Sequence, residues 1–545
     1  MSEVYPDSIK LEMQFAGTAG AWTDVTEDVI RSTPITCTYG IQDSSPLARV
    51  ASTGTFNFML DNSELNSAGL VGYYSPGHTN CRSGFQAGIT VRFSVIYGGI
   101  SYPKFYGRIP ATGIQIIPGA NKERKTMVEV RDFMEQCAIH EIDSPAFVQN
   151  KTATELISLI LSEQSTQPLA ADYKTCEDTF FSAFEDQSLK LTPLVEISNI
   201  CLSEFGYAYI RHDADNYEKF VVEGRKTRTG ITSATTISVS TPIELCGYLL
   251  KEDGGKFQLE DASGYIKLNE STIGTSSFIN SQYDAVIQNG NDLYNNIVVN
   301  SIPKTIGTAE EVLYSYPGGI PFPAHWVGTT MVGTLPFEYE FKDLLGSENT
   351  IGLSIVNPIG TTDYLVYQNS AGTGYIGYTP YVTAVTTNYT NRAVGSLLFY
   401  YTGSGSDATY YVFRFQIRGT ALKIYSSISS EFQGTVSEQV FGKSSLTIDM
   451  PYQIGTAIPA SIAGTLLTQY QNPITRTENI MFFANKDINT LAAYLVLDIG
   501  DRFTYQEAVS GVNSDYFING VTFEVHANNI IKFGYKTKAA ELEVF

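Results

Sequence analysis

Apolar and polar residues alternate in short runs along the first stretch of the chain, to about residue 140. Residues 35–39, 54–60, 90–96 and 127–131 either place an apolar side chain at every second position or run apolar throughout, the pattern of half-buried strands. The run 61–69 is polar and broken by glycine, and Tyr74-Ser-Pro-Gly77 reads as a turn, so a long loop is predicted between two of these strands. A β-barrel or sandwich fits this stretch. Near residue 150 the period changes to that of a helix. Thr152 and Glu155 form a capping-box pattern ahead of Leu156, Ile157, Ile160 and Leu161, which predicts a short amphipathic helix. A second helix is predicted from Thr192 as cap and Pro193 in the first turn, through Leu194, Ile197, Cys201 and Phe205, to a stop at Gly206. Runs 207–211 and 219–223 flank a polar segment and predict a hairpin, so 143–235 reads as a compact α+β unit.

From about residue 236 strand patterns return, at 296–300, 337–341, 396–401 and 410–417, with one further helix predicted at 460–470 and ended by Asn472-Pro473. The last segment echoes the first. Gly88-Ile-Thr-Val-Arg-Phe followed by Lys104-Phe-Tyr-Gly-Arg-Ile109 is matched by Gly500-Asp-Arg-Phe-Thr-Tyr followed by Tyr516-Phe-Ile-Asn-Gly-Val521. Each is a glycine-led strand, a loop, and an aromatic strand interrupted by glycine, the kind of self-similarity that points to two related barrels.

Composition narrows the class. With 545 residues the chain has room for about three to four domains, each with its own core. A hydrophobic fraction of 43% against 17% charged residues belongs to a folded protein, and 35 Tyr, 30 Phe and 46 Gly lean towards strands joined by tight turns. The balance of 56 acidic against 35 basic residues, net charge -21, argues against a surface that grips nucleic-acid phosphates. Cys37, Cys81, Cys137, Cys176, Cys201 and Cys246 lie far apart with no C-x-x-C pair, so free thiols are expected rather than a zinc ribbon or a disulfide scaffold. The first residues carry no signal-peptide pattern and no run of eighteen apolar residues occurs, so folding in a cytoplasm without a membrane anchor is expected.

No local motif for catalysis survives inspection. Gly372-Thr-Gly-Tyr-Ile-Gly377 matches a dinucleotide fingerprint, but Tyr378-Thr-Pro-Tyr381 stands where a helix must begin, and a strand-connecting loop is expected. Ser437 to Ser444 ends like a P-loop, yet Ser437 replaces the first glycine and an alternating strand follows, so a turn is expected. The five histidines, His78, His140, His212, His325 and His526, form no H-E-x-x-H, and no G-x-S-x-G elbow exists. Asp213-Ala-Asp-Asn216 lacks the glycine and glutamate of a calcium loop and reads as a hairpin turn. The sequence therefore names no catalytic, cofactor-binding or metal-binding residue, and its binding residues are unknown. Distant paired carboxylates for glycoside hydrolysis leave no local trace and stay open as the enzymatic alternative.

The stretch from Val25 to Ile142 resembles the N-terminal barrel of tail hub and minor tail proteins of long-tailed bacteriophages. The resemblance is carried by Val25-Thr-Glu-Asp-Val-Ile30, Ala51-Ser-Thr-Gly-Thr-Phe-Asn-Phe-Met-Leu-Asp-Asn62, Tyr74-Ser-Pro-Gly77, Gly88-Ile-Thr-Val-Arg92 and Phe105-Tyr-Gly-Arg-Ile109, in the family's order. It continues through 152–161 and 194–225, which look like the family's helix, helix and hairpin. Asp292-Leu-Tyr-Asn-Asn-Ile-Val-Val299 is similar to the strand that opens its second barrel, and 497–503 with 516–521 to the strands that close it.

The resemblance implies a mainly β fold with α+β parts. Residues 1–142 form a tube-type barrel, 143–235 the α+β unit, 236–330 and 471–545 the two parts of a second barrel, and 331–470 a β-rich insertion. It further implies a non-enzymatic structural hub at the distal end of a virion tail, a trimeric ring joining a six-fold tail tube to a three-fold tip or fibre. The implied partners are further copies of the chain, a distal tail ring or tail tube, the tape-measure protein and a central fibre or receptor-binding tip. DNA is expected only in transit through an acidic channel, and no cofactor is expected. A distal tail or baseplate ring, the related spike base of a secretion machine, and a receptor- or glycan-binding, possibly polysaccharide-degrading, tail protein are the alternatives.

Overall fold

The computed structural model describes residues 4–18, 20–119, 123–185, 190–213, 216–239, 243–248, 267–272, 280–286, 293–308, 310–316, 318–327, 329–340, 349–356, 358–359, 362–376, 381–386, 392–403, 405–473, 476–486, 488–507 and 512–543. The alternating runs of the first stretch are strands: β1 (Ser8–Gln14), β2 (Ile35–Gly40), β3 (Ser52–Asp61), β4 (Thr90–Tyr97), β5 (Ile100–Arg108) and β6 (Lys125–Arg131). Along β3 the inward positions Phe56, Phe58 and Leu60 are buried, as a period of two requires when one face meets a core. In the sheet these strands lie in the order β2-β3-β6-β5-β4-β1.

The end of the chain repeats this arrangement. After the hairpin β7 (Tyr207–Arg211) and β8 (Lys219–Glu223) come β9 (Thr236–Val239), β10 (Asn280–Val286), β11 (Arg476–Phe483), β12 (Arg502–Glu507), β13 (Val512–Val525) and β14 (Ile531–Ala539). Their spatial order is β10-β11-β14-β13-β12-β9. Strand for strand in chain order, this is the order of the first unit. The difference lies at the end of the row, where β9 runs parallel to β12 while β1 runs antiparallel to β4.

The glycine-led echo has a common geometry. Gly88 and Gly500 take φ of +86° and +89°, which favours glycine. Gly88 N–H donates to Ile109 O and Ile109 N–H to Ile89 O, at 2.7 and 3.0 Å; Gly500 N–H donates to Ile518 O and Ile518 N–H to Asp501 O, at 2.9 and 3.0 Å. This aligns Ile109 with Ile518, not with Val521 as the sequence echo would have it. The glycines Gly107 and Gly520 are not equivalents, because Gly107 pairs with Val91 and Gly520 with Gly40 and Lys536.

The two units are not separate bodies: β2 pairs with β13 along residues 35–40 and 520–525, so one 14-stranded sheet runs through both. The sheet is strongly curled. Four strands lie between β13 and β4, yet the rings of Phe523 and Phe93 stack with centroids 5.9 Å apart, where a flat sheet would hold them roughly 24 Å apart at the usual strand spacing. The barrel interior is closed by side chains, with the Phe56 ring stacked on Phe105 and tilted against Phe93, each at 5.1 Å.

Helix α1 (Phe133–Ile139) follows β6, with Asp132 Oδ1 accepting from Met134 N–H. Helix α2 (Ala153–Ser162) starts at the expected capping box of Thr152 and Glu155, both halves of which form. Helix α3 (Pro193–Glu204) begins with the expected proline, but the left-handed residue that ends it is Phe205, φ 61°, rather than Gly206. Gly206 is required for another reason: a Cβ there would stand 2.1 Å from Glu223 O of β8.

Residues 296–301, placed by sequence in the second barrel, pair instead with 428–433 and 445–450 in a three-stranded sheet covered by α5 (Ala457–Tyr470). The P-loop-like stretch, expected as a turn, is the short helix α4 (Thr435–Phe441) followed by Gly442 and the strand Ser445–Met450. A sixth helix, α6 (Ile488–Val496), fills the connection from β11 to β12, where the sequence pattern predicts none. The fingerprint-like glycines Gly372 and Gly374 sit in a turn, and Gly377 falls outside the described residues. So do two residues of the calcium-loop-like turn, whose ends Asp213 and Asn216 are tied by backbone hydrogen bonds at the head of the β7–β8 hairpin. Cys37, Cys137 and Cys201 are buried free thiols, while Cys81 and Cys176 are partly exposed.

Candidate functional site

The chemistry of the molecule concentrates where the two barrel units meet each other and the α+β unit. Two β-bulges aim polar side chains across this seam. In the β4–β5 pairing Phe93 faces Phe105 and Ser94 faces Pro103, so Lys104 is the extra residue. Its Nζ, fully buried, donates to the carbonyls of Tyr494 and Leu495 at 2.6 and 3.1 Å, satisfying the C-terminus of α6 from the other unit. Burial lowers the Lys104 ammonium to about 8. In the β13–β14 pairing the shift between Ile518 and Gly520 makes Asn519 the extra residue. Asn519 O accepts from Ile41 N–H at 2.8 Å and its Oδ1 accepts from Arg228 Nη1 at 2.8 Å.

Arg228 anchors a buried ionic cluster. It lies flat on Tyr207 at 3.7 Å and its Nε donates to Glu223 at 2.8 Å, while Glu223 also accepts from Tyr209 Oη at 2.8 Å. Alongside, Glu543 accepts from Tyr207 Oη at 2.6 Å and lies 3.2 Å from Lys538 and 3.5 Å from Arg49. Burial works to raise Glu543, but Lys538, Arg49 and Arg228 outweigh it and hold the carboxyl down to about 2. Burial pushes Lys538 down to about 7 against the pull of Glu543. A third group completes the seam: Asp498 accepts from Tyr39 Oη at 2.9 Å and His212 N–H at 2.7 Å, and Arg211 grips Asp501 with both ends of its guanidinium, at 2.9 and 3.0 Å. Several of these contacts, among them Lys104–Tyr494, Tyr39–Asp498, Arg211–Asp501, Tyr207–Glu543 and Arg228–Asn519, join residues hundreds of positions apart. Their effect is to fix the relative placement of three units.

A small cavity of about 70 Å³ under the same seam is lined by Tyr106, Arg108, Asp132, Phe133 and Glu218. Burial raises Asp132 to about 7 and Glu218 to about 8. Glu218 accepts from Leu169 N–H at 3.2 Å. It holds its proton more tightly folded than unfolded, so its contribution to stability is fully present below its ordinary value of 4.5 and is lost as pH rises towards about 8. Glu218→Gln is expected to flatten the fall in stability between pH 5 and 9 and to stabilise the protein at pH 9 by about 1–3 kcal/mol, a tenfold change in proton affinity being worth about 1.4 kcal/mol. Urea midpoints across that range check this, and parallel curves for the two proteins would refute it.

Sequence inspection names no site residues, and the seam residues escape it because buried Arg, Lys and Glu look like surface residues in a sequence. The histidines stay apart: His212 is buried against Tyr39 and Phe105, His325 pairs with Asp407, and His526 with Glu524. Among the described residues no group of three or more His, Cys, Asp or Glu could hold a metal ion, and no helix is long and apolar enough to cross a membrane.

No family model and no curated protein matches this sequence. Among solved structures, the chain is similar to the prophage MuSo2 43 kDa tail protein from Shewanella oneidensis, at 8% identity and TM-score 0.45, over 98% of this chain and 99% of that one. It is similar to a tail protein from Neisseria meningitidis MC58, at 8% identity and TM-score 0.45, over 97% and 96%. It is also similar to the prophage tail protein gp18 from Listeria monocytogenes EGD-e, at 8% identity and TM-score 0.39, over 97% and 94%.

Proposed function

We propose that this chain is a structural, non-enzymatic hub of a bacteriophage tail tip that works as a ring of three copies. The observation that carries the proposal is the repeated strand order of the two units, which gives each copy two related barrels in one curled sheet. Three copies then offer six barrel faces to a six-fold tube while keeping three-fold symmetry towards a tip or fibre. A closed ring also covers sheet edges that would otherwise pair without control. The buried seam supports the same view, since a ring that transmits force needs its two barrels held as one piece.

The proposal includes a place at the distal end of the virion tail, partners in the tail tube or distal ring, the tape-measure protein and a central fibre, and DNA passing through without being held. It keeps the division at 1–142, 143–235, 236–330 with 471–545, and 331–470, with the strand 296–301 counted with the insertion. The test is to image assembled tails and count copies in the layer this protein occupies. Three copies with both barrels facing the channel are expected. Six copies would move the chain to a distal ring, and one or two would overturn the ring.

A further inference from the structure

The hairpin of the α+β unit meets both barrel units at one side chain, His212. Strand β7 ends at Arg211, and its last residues dock on the turn 498–501 that leads into β12. Arg211 grips Asp501 and the carbonyl of Ile499 at 2.9–3.0 Å, and His212 N–H donates to Asp498 Oδ2 at 2.7 Å. The His212 side chain is buried. Its ring meets the Tyr39 ring of β2 edge-on, with centroids 4.7 Å apart, and the Phe105 ring of β5 at 5.9 Å. Three units therefore press on one imidazole: the first barrel through Tyr39 and Phe105, the second through Asp498, and the α+β unit through its own hairpin.

The hydrogen bonds decide which form of the ring fits. Nδ1 faces the carbonyl oxygen of Tyr217, which can only accept, so Nδ1 carries the proton and Nε2 is bare. Among the described residues Nε2 has no hydrogen-bond partner, and it is closed off from solvent. A second proton has to go there, and the surrounding acids are engaged elsewhere. Asp498 Oδ1 accepts from Tyr39 Oη and Ile499 N–H, at 2.9 and 2.7 Å, and its Oδ2 from the His212 main chain. Asp501 is paired with Arg211, and Asp213 with Lys219. From β5 comes a like charge, the buried Lys104 ammonium on the carbonyls of α6. Burial, the largest influence, holds the His212 imidazole below its ordinary value of 6.5; Lys104 acts in the same direction, and Asp498, the Tyr217 carbonyl and Asp213 oppose them. A ring that resists protonation only when folded contributes stability that is present above its ordinary value and is lost as pH falls from there towards the lower folded value.

We propose that His212 is an acid-released latch: neutral, it lets the hairpin close on the 498–501 turn and on both barrel units, and protonated at Nε2 it drives the head of the hairpin off that turn into solvent. The latch does not depend on the ring of three. It is tested on the full chain by hydrogen exchange, read as protection factors at pH 7.5 and 5.0. His212→Asn is the variant, since its amide keeps a donor in reach of the Tyr217 carbonyl and takes up no proton in this range. From pH 7.5 to 5.0, protection at 208–212 and 498–502 is expected to fall at least about fivefold more in the unaltered protein than in His212→Asn, up to a ceiling of about 30-fold set by protonation of an unfolded imidazole. Glu218, which titrates in the opposite sense, is common to both proteins and cancels. Segments 55–61, 125–131 and 415–424 are expected to respond alike in the two. Nitrogen-15 spectra of the histidine-labelled, unaltered chain decide the matter if the variant does not fold. The His212 ring is then expected to keep its neutral Nδ1–H form at pH 6.0 while 208–212 stays protected, and to become charged in the range where that protection is lost. An imidazolium inside the closed protein at pH 6.0, an equal acid-linked loss in both proteins, or a loss spread evenly over 415–424 would overturn the latch.

Discussion

Arg228→Ala is expected to lower stability by about 3–5 kcal/mol, the usual cost of removing one partner of a buried ion pair. The side chain is 1% exposed and makes three kinds of contact at once: an ion pair to Glu223, a hydrogen bond to Asn519 across the seam, and a stack on Tyr207. Among the described residues, removing it leaves the buried Glu223 carboxylate with the Tyr209 hydroxyl as its hydrogen-bond donor and takes a cation away from Glu543. The loss should appear as a shift in the urea midpoint of the transition that reports on the barrels. Arg502→Ala is the comparison. Arg502 pairs with Asp515 at 2.6 Å, but both side chains are about a quarter exposed, and such pairs contribute about 0–1 kcal/mol. A double change, Arg228→Met with Glu223→Gln, should recover much of the loss because no charge is then stranded. If the single variant costs less than the Arg502 variant, or the double costs more than the single, the cluster does not hold the seam.

The contrast between these two arginines marks how far the sequence could be read. Features written locally were legible: the alternation of 54–60, the capping box at Thr152 and Glu155, Pro193 opening α3, and the helix ended by Asn472-Pro473. Features written in pairing were not. Residues 296–301 alternate as a barrel strand would, and only their partners at 428–433 and 445–450 set them apart. Helix α6 is only 9 residues long, and an apolar run of that length, without charge between Ile488 and Val496, is too short to be told from a buried strand in the sequence. Its end is completed by Lys104, far away in sequence. Arg49 and Arg228 are hidden by the same fact, since a charged residue is taken for a surface residue until its partners are seen. The echo of Gly88 and Gly500 lay between these cases. The turn was recognisable, but the register of the strand after it depended on bulges that no local pattern announces.

Gly40→Ala is expected to strike the β2–β13 join itself and cost about 2–5 kcal/mol, the sum of backbone strain and overpacking. Gly40 has φ +92°, where a side chain is strained whatever the space. There is also no space. A Cβ would lie 2.4 Å from Ile499 Cδ1, 2.6 Å from Asn519 O and 2.9 Å from Gly520 Cα, the residue directly opposite. The isoleucine methyl can move; the backbone oxygen cannot, because it accepts from Ile41 N–H while the Asn519 side chain is held by Arg228. Adding Ile499→Val to Gly40→Ala removes the methyl and leaves the oxygen, so it should restore little. Hydrogen exchange is the sharper readout: amides of β2 and of 520–525 should lose protection in Gly40→Ala, while those of the remote insertion, such as 415–424, keep theirs. Full rescue by Ile499→Val would place the strain in a side chain rather than in the approach of two backbones. Unchanged protection along β2 would mean that the two barrel units are held together by something other than this pairing, and the seam would have to be sought in Lys104 and the ionic cluster instead.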